Sequence, residues 1–317
     1  SGAMLLTNHR RKVPLGEART YPFFRRPVFL LYLMAAAMPV AFATWSALLN
    51  NFVIEAAGFT GVEIGWLHSV REIPGFLAIG VILLILFIRE QVLALVSLIL
   101  LGIATALTAT FPDLGWLLFI TLMSSIGFHY YETVNQSLQL QWIDKKRAPQ
   151  ALGWLMSIGS GATLLAYLLI VLTWRAYDLS YELVYWLAGG VTAAIALLCF
   201  ALFPQFESPD PQIKKMVLRK RYWLYYALQF MSGARRQIFV VFAGFMMVER
   251  YGYEVHQITA LFMGTLLANM IAAPLLGRVV ARFGERLALV VEYAGLAAIF
   301  LLYAGLYVFD WGPGMAA

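Results

Sequence analysis

The sequence predicts an all-α integral membrane fold: a six-helix bundle, a basic linker, then three helices of a second, incomplete bundle. Three observations predict it. Nine apolar runs are each long enough to cross a ~30 Å hydrocarbon layer as helix. Of 317 residues, 62% are hydrophobic and only 13% are charged, too few charges to keep a soluble domain of this size in solution. The runs are continuous rather than alternating, which selects helices over a closed barrel.

Residues 1–26 form the head. Its first four residues read as a tag remnant, and the rest is polar and Arg-rich. It is not a cleavable signal peptide, because the apolar run behind it is too long. The spans fall at 27–53, 63–88, 91–111, 115–141, 150–174, 183–205, 222–248, 257–277 and 287–309. The first six make the N-terminal bundle, 27–205. Residues 206–221 are polar and Pro-broken, a linker on the cytoplasmic side. Residues 222–317 make the partial second bundle. The chain stops in FDWGPGMAA, a turn that could open a tenth span, so the sequence is expected to be incomplete.

Orientation follows from basic residues. With the N-terminus inside, the inner segments carry eighteen Lys and Arg, and the outer loops only Arg175 and Arg250. The positive-inside rule therefore places the N-terminus in the cytoplasm. Tyr21, Trp116, Trp142, Trp174, Trp223 and Trp311 lie near span ends and read as interface belts. The single cysteine, Cys199, excludes an intrachain disulfide and a thiolate metal site. Met231, Met246, Met247 and Met263 with His256 form no tight ligand cluster, so they read as apolar filler rather than a copper site. No cofactor is expected.

Five charges sit deep inside the spans: Arg71, Glu72, Glu132, Arg235 and Arg236. Each costs about 2.5–3.5 kcal/mol on insertion scales, so they mark a polar pathway rather than an anchor. Span two places His68, Arg71 and Glu72 just before Pro74 and Gly75. Pro74 is expected to kink the helix. Adjacent helical residues point about 100° apart, so Arg71 and Glu72 are not expected to satisfy one another fully. Span four aligns Ser125, His129, Glu132, Gln136 and Gln139 within an arc of about 80°. Lipid does not tolerate such a stripe. Glu132 in a low-dielectric site suits proton uptake and release, and His129 one turn away could relay that proton. An interhelical hydrogen-bond ladder is the structural alternative. Span seven carries Arg235 and Arg236 at mid-membrane with no acid nearby in the same span. One could bridge to Glu132 or Glu72 as a gate, leaving the other for a carboxylate or phosphate. Asn269 and Pro274 make span eight partly polar.

The loop after span eight, LGRVVARFGER, matches a ten-residue cytoplasmic signature, G-x-x-x-D-R-x-G-R-R, at Gly277, Arg282, Gly284 and Arg286, with Ala281 at the aspartate. With six spans, a basic linker and further spans, the chain resembles the major facilitator superfamily. The first copy of the signature, expected after span two, keeps only Arg89. Span five has Gly153, Gly159 and Gly161 but no proline, so the antiporter signature is not met. The resemblance implies a carrier working by alternating access, with a midplane site between two rocking bundles and a gating role for the signature loop. Family members usually have twelve spans, which would leave three missing, and without them the chain is not expected to alternate access alone.

A secondary transporter of a small organic solute, proton-coupled, is therefore expected. Three buried Arg against two buried Glu favour an anion. The substrate or coupling residues are Arg71, Glu72, His129, Glu132, Gln136, Arg236 and Asn269; the gating residues are Arg235, Gly277, Arg282, Gly284 and Arg286. The expected partners are the solute, protons and the bilayer of a bacterial inner membrane, with no nucleic acid and a monomeric state. No nucleophile elbow or phosphate loop argues for an enzyme. The alternative is a non-transporting scaffold whose buried charges pair permanently.

Overall fold

Every predicted span falls on helix. The computed structural model describes residues 11–76, 80–208 and 220–312; at 232–240 and scattered other helical positions only the backbone is described. The first part of the chain forms β1 (Lys12–Pro14), α1 (Leu15–Ala18), α2 (Pro27–Glu55), α3 (Gly61–Phe76), α4 (Gly80–Phe87), α5 (Glu90–Ala106), α6 (Leu114–Trp142), α7 (Ala148–Thr173), α8 (Tyr181–Leu202) and β2 (Gln205–Glu207). The second part forms α9 (Trp223–Tyr251), α10 (Val255–Phe283) and α11 (Glu285–Val308).

Local chemistry sets the helix ends. Pro27 starts α2, where its missing N–H costs nothing. The Asp113 carboxylate caps α6 by accepting from the Trp116 amide at 2.9 Å, and the Ser180 hydroxyl caps α8 by accepting from the Leu183 amide at 3.2 Å. Glu254 and Gln257 make a capping box at α10. Gly284 alone joins α10 to α11, at φ +85°, which L side chains rarely adopt.

Among the described residues, six helices are long and apolar enough to cross a membrane, and α3 with α4 makes a seventh as a bent pair. The kink expected at Pro74 is present in the second predicted span: the axes of α3 and α4 differ by 49°. The helix α5 has 17 residues, short for a span, and α9 is not among the apolar set. That helix contains Arg235, Arg236, Glu249 and Arg250, and its charge lowers its hydropathy.

The core lies in two layers. At the end where α2 begins, the head end, one cluster joins Leu30, Leu31, Leu95, Tyr131, Leu138 and Ala196. All of its buried members fall between Val13 and Phe206. At the far end a second cluster joins Trp45, Leu48, Phe52, Ile64 and Tyr185 to Val241, Phe245 and Val255. A third, around Met246, Met247, Val248, Ile258 and Leu306, belongs to the second part and touches Ile54. Among the described residues, apolar packing therefore joins the two parts at the far end only. The helices α9 and α10 rest on α2, with α9 also on α3 and α10 also on α7.

The head is a folded element rather than a loose tail. Strand β1 runs parallel to β2, pairing Lys12 with Gln205 and Pro14 with Glu207. Val13, Leu15 and Ala18 are buried in the head-end cluster. The Gln91 side chain locks the turn, donating to the Pro204 carbonyl at 2.9 Å and accepting from the Phe206 amide at 3.0 Å. Trp142, expected in an interface belt, is instead buried, its ring 5.5 Å from that of Phe206.

Candidate functional site

The α3–α6 contact assembles most of the predicted constellation. The helix α3 brings Arg71 and Glu72 to α6, and α2 supplies the aromatic wall behind them. The Arg71 guanidinium carbon lies 5.3 Å from the Phe42 ring centroid and 5.2 Å from that of Trp45. A guanidinium between two aromatic faces is held by cation–π attraction, worth about 2 kcal/mol or more when desolvated. Phe42 in turn stacks on Phe128 of α6, with centroids 4.8 Å apart. A cavity of about 10 Å³ remains beside Phe42, Arg71, Ser124 and Ser125, at the limit for one water.

Arg71 and Glu72 do pair, and, as expected, the pair is not the whole of their surroundings, since Arg71 also packs on Phe42 and Trp45 of another helix. Arg71 Nη1 stands 3.3 Å from Glu72 Oε1, with the arginine side chain 14% and the glutamate 36% exposed. The Cα directions diverge by about 100°, but the four-bond arginine stem reaches around the helix. The Ser125 hydroxyl of α6 donates to the Arg71 carbonyl. Pro74 cannot donate to the Val70 carbonyl four residues back, which loosens the turn that the serine reaches.

Below Ser125, His129 packs its ring against Gly75, where an added Cβ would come within 3.2 Å of the imidazole. Its Nε2 is buried without a hydrogen-bond partner among the described residues. Glu132 is half-buried with no hydrogen bond or ion pair among the described residues, while Gln136 one turn further is exposed. The stripe thus holds a buried, tied-down Ser125 and an exposed Gln136, with Gln139 half-buried again.

Of the remaining predicted residues, those that are described do not join this cluster. Asn269 is exposed on α10. Arg235 and Arg236 lie on the α9 backbone, and their side chains fall outside the described residues, as does Gly277 beyond its helical backbone. In the signature loop, Arg282 is exposed with its guanidinium 5.4 Å from the Phe283 ring, Gly284 makes the turn, and Arg286 is exposed at the start of α11.

Sequence reasoning missed two features. Glu90, read as part of a loop, accepts from Ser137 at 3.0 Å and from Gln141, tying α5 to the last turns of α6. The far-end seam was also missed. Asn51 is fully buried and its amide donates to the Tyr253 carbonyl at 2.7 Å, linking the first part to the loop before α10. Beside it Arg175 Nε lies 3.2 Å from Glu254 Oε2, an exposed pair of small energetic weight. The polar pair Asn50–Asn51 inside an apolar run was the available signal. Replacing Asn51 by leucine leaves that carbonyl without its donor and is expected to favour opening of the far end by about 1 kcal/mol. Spin labels at Tyr177→Cys and Ala260→Cys read this as a longer distance. The native Cys199 is buried and stays silent. An unchanged distance distribution would show that the bond does not hold the seam.

A family model described as Major Facilitator Superfamily matches residues 28–317. Solved structures share the fold at low identity. The nucleoside transporter NupG, as a point mutant, is 13% identical with a TM-score of 0.65, covering 82% of this chain and 69% of that one. The parent NupG structure gives 0.63 at 13% identity, covering 81% and 68%. A bacterial homolog of the human lysosomal transporter Spinster, inward-facing and occupied, gives 0.62 at 13%, covering 82% of this chain and 62% of that chain. No curated protein is a significant match.

Proposed function

We propose that this chain, which belongs to the Major Facilitator Superfamily, is a proton-coupled carrier of a small organic anion in a bacterial inner membrane, its N-terminus cytoplasmic. The coarser statement needs no proposal: it is a multi-pass membrane protein of a transporter family. One observation carries the finer one. The two parts share a buried core at the far end, through Val241, Phe245 and Val255. Along α6 the polar stripe holds half-buried His129 and Glu132, exposed Gln136 and half-buried Gln139. A polar stripe with an ionisable group cannot face acyl chains, so a wet vestibule accounts for it.

In this arrangement Arg71 and Glu72 orient the anion, and Glu132 takes up and releases the coupling proton. The first six helices act as one body and the second part as the other, with 206–221 between them. Arg236 and Asn269 would face the solute from the second body, and Arg235 with the Gly277–Arg286 loop would act in gating.

The test is a reconstituted full-length protein with Glu132→Gln. Accumulation of anion driven by a proton gradient is expected to fall to the level seen without a gradient. Solute counterflow, which needs no net proton movement, is expected to persist. Because one similar structure is a nucleoside transporter, nucleosides serve as the neutral comparison solutes. Gradient-driven accumulation that survives the substitution would remove Glu132 from coupling. The scaffold alternative has one observation in its favour, the Arg71–Glu72 bridge closed within a single helix. A parent protein that moves no solute under any gradient would establish it.

A further inference from the structure

The transport site leaves the head unexplained. Residues 19–26 lie outside the first span and carry the wrong surface for a water-facing turn. Phe23 and Phe24, in a 3-10 turn just before Pro27, are 47% and 69% exposed. They are not loosely hung. Phe24 meets Phe29 edge-on at 5.2 Å, and Phe23 lies 5.4 Å from Phe29 and 6.3 Å from Tyr32, so the pair is fixed to the first two turns of α2. The Arg26 guanidinium donates to the Tyr21 carbonyl at 2.8 Å and shapes the turn. The turn rests on a platform that cannot drift: β1 is paired with β2, and Lys12 and Arg89 both reach Glu207, at 3.4 and 3.3 Å.

The charge around the two phenylalanines is mostly basic, although the Glu17 carboxylate accepts from the Tyr21 hydroxyl at 2.8 Å. Arg19 and Arg25 are exposed with no carboxylate partner among the described residues. Arg11 differs, since it stands 3.8 Å from Glu17. Lys145, Lys146 and Arg147 are exposed in the loop between α6 and α7 at this same end. That loop follows Trp142 and Ile143, which share the head-end cluster with Val13 and Leu15.

Aromatic side chains held rigidly at the mouth of a span, level with lipid headgroups, are best placed in the boundary between phosphates and acyl chains. Free guanidinium groups beside them match phosphate in geometry and sign. We propose that the turn 19–26 is a docking site for anionic phospholipid of the head-end leaflet, with Arg19 and Arg25 on the phosphate and Phe23 and Phe24 in the acyl boundary. Through β1 and β2 the same lipid steadies the start of the linker that joins the two bodies.

Hydrogen exchange of the whole protein tests this, in nanodiscs of phosphatidylcholine with and without phosphatidylglycerol. Amides of 19–26 are expected to exchange about tenfold more slowly with the anionic lipid. Each juxtamembrane Arg contributes on the order of a few-fold to tenfold, so R19Q/R25Q lowers the preference for anionic lipid by about 10- to 30-fold and abolishes the protection. F23S/F24S is expected to do the same by losing the acyl contact. All four side chains are exposed, and an unchanged thermal midpoint confirms that each variant folds. Native mass spectrometry of the parent, where phosphatidylglycerol should be retained over phosphatidylcholine, gives a readout free of variants. Equal protection in neutral lipid, protection that survives R19Q/R25Q, or protection by soluble glycerol phosphate without a bilayer would each overturn the proposal.

Discussion

Gly189→Ala is expected to cost about 2–4 kcal/mol and leave little monodisperse protein, whereas Gly190→Ala next to it is expected to be harmless. The two glycines differ only in what they face. The helices α5 and α8 cross with Gly102 and Gly189 back to back. A Cβ on Gly102 would stand 2.6 Å from the Gly189 carbonyl oxygen and 2.7 Å from the Ala193 nitrogen. A Cβ on Gly189 would overlap the Gly102 carbonyl oxygen and the Ala106 nitrogen still more closely. The nearest clashing atoms are backbone and the others are the Cβ atoms of Ala106 and Ala193, none of which can swing away, so the helices must separate. In lipid this matters more than in water, because apolar area alone does not drive helices together and close approach of small residues does. Gly190 has nothing within 4 Å, so alanine there only removes backbone freedom and should stabilise by about 0.5–1 kcal/mol. Thermal midpoints of the two variants in detergent decide it. Equal midpoints would mean that the α5–α8 crossing is looser than the geometry indicates.

That crossing shows where sequence reading stops. Continuous apolar runs identify membrane helices because hydrophobic length is local information, and the bend past Pro74 is local too. Which faces meet is not local. Nothing in the run around Gly189 separates it from Gly190, and nothing in an Arg–Glu neighbour pair shows that Phe42 and Trp45, about thirty residues earlier, will bracket the guanidinium. The α6 stripe was legible as a polar face from its spacing, but not which of its members, such as Ser125, are buried and which, such as Gln136, are exposed, because that depends on the packing of neighbouring helices. Three-residue strands carry no usable alternation, so the β1–β2 pairing of the head with the linker was invisible. Gly284 was legible from its motif, and its positive φ supplies the physical reason for glycine there.

The largest functional effect is expected at Arg71. Arg71→Lys should fold as well as the parent yet lose most anion transport. Lysine keeps the charge, so the Glu72 carboxylate, already about a third exposed, still has a partner. What it loses is the planar group held between the rings of Phe42 and Trp45, each a little over 5 Å from the guanidinium carbon. An ammonium is a hydrated point charge and cannot fill that slot while offering paired donors to a carboxylate. Arg71→Met should be worse, because it removes the guanidinium that pairs with Glu72 and lowers stability by about 1–3 kcal/mol. Arg71→Met with Glu72→Gln should restore the midpoint without restoring flux, separating the pair's structural contribution from its role in binding. Flux and midpoint measured on the same three proteins make the distinction. If the lysine variant transports at the parent rate, the guanidinium is a strut between α2 and α3, and anion recognition belongs elsewhere in the vestibule.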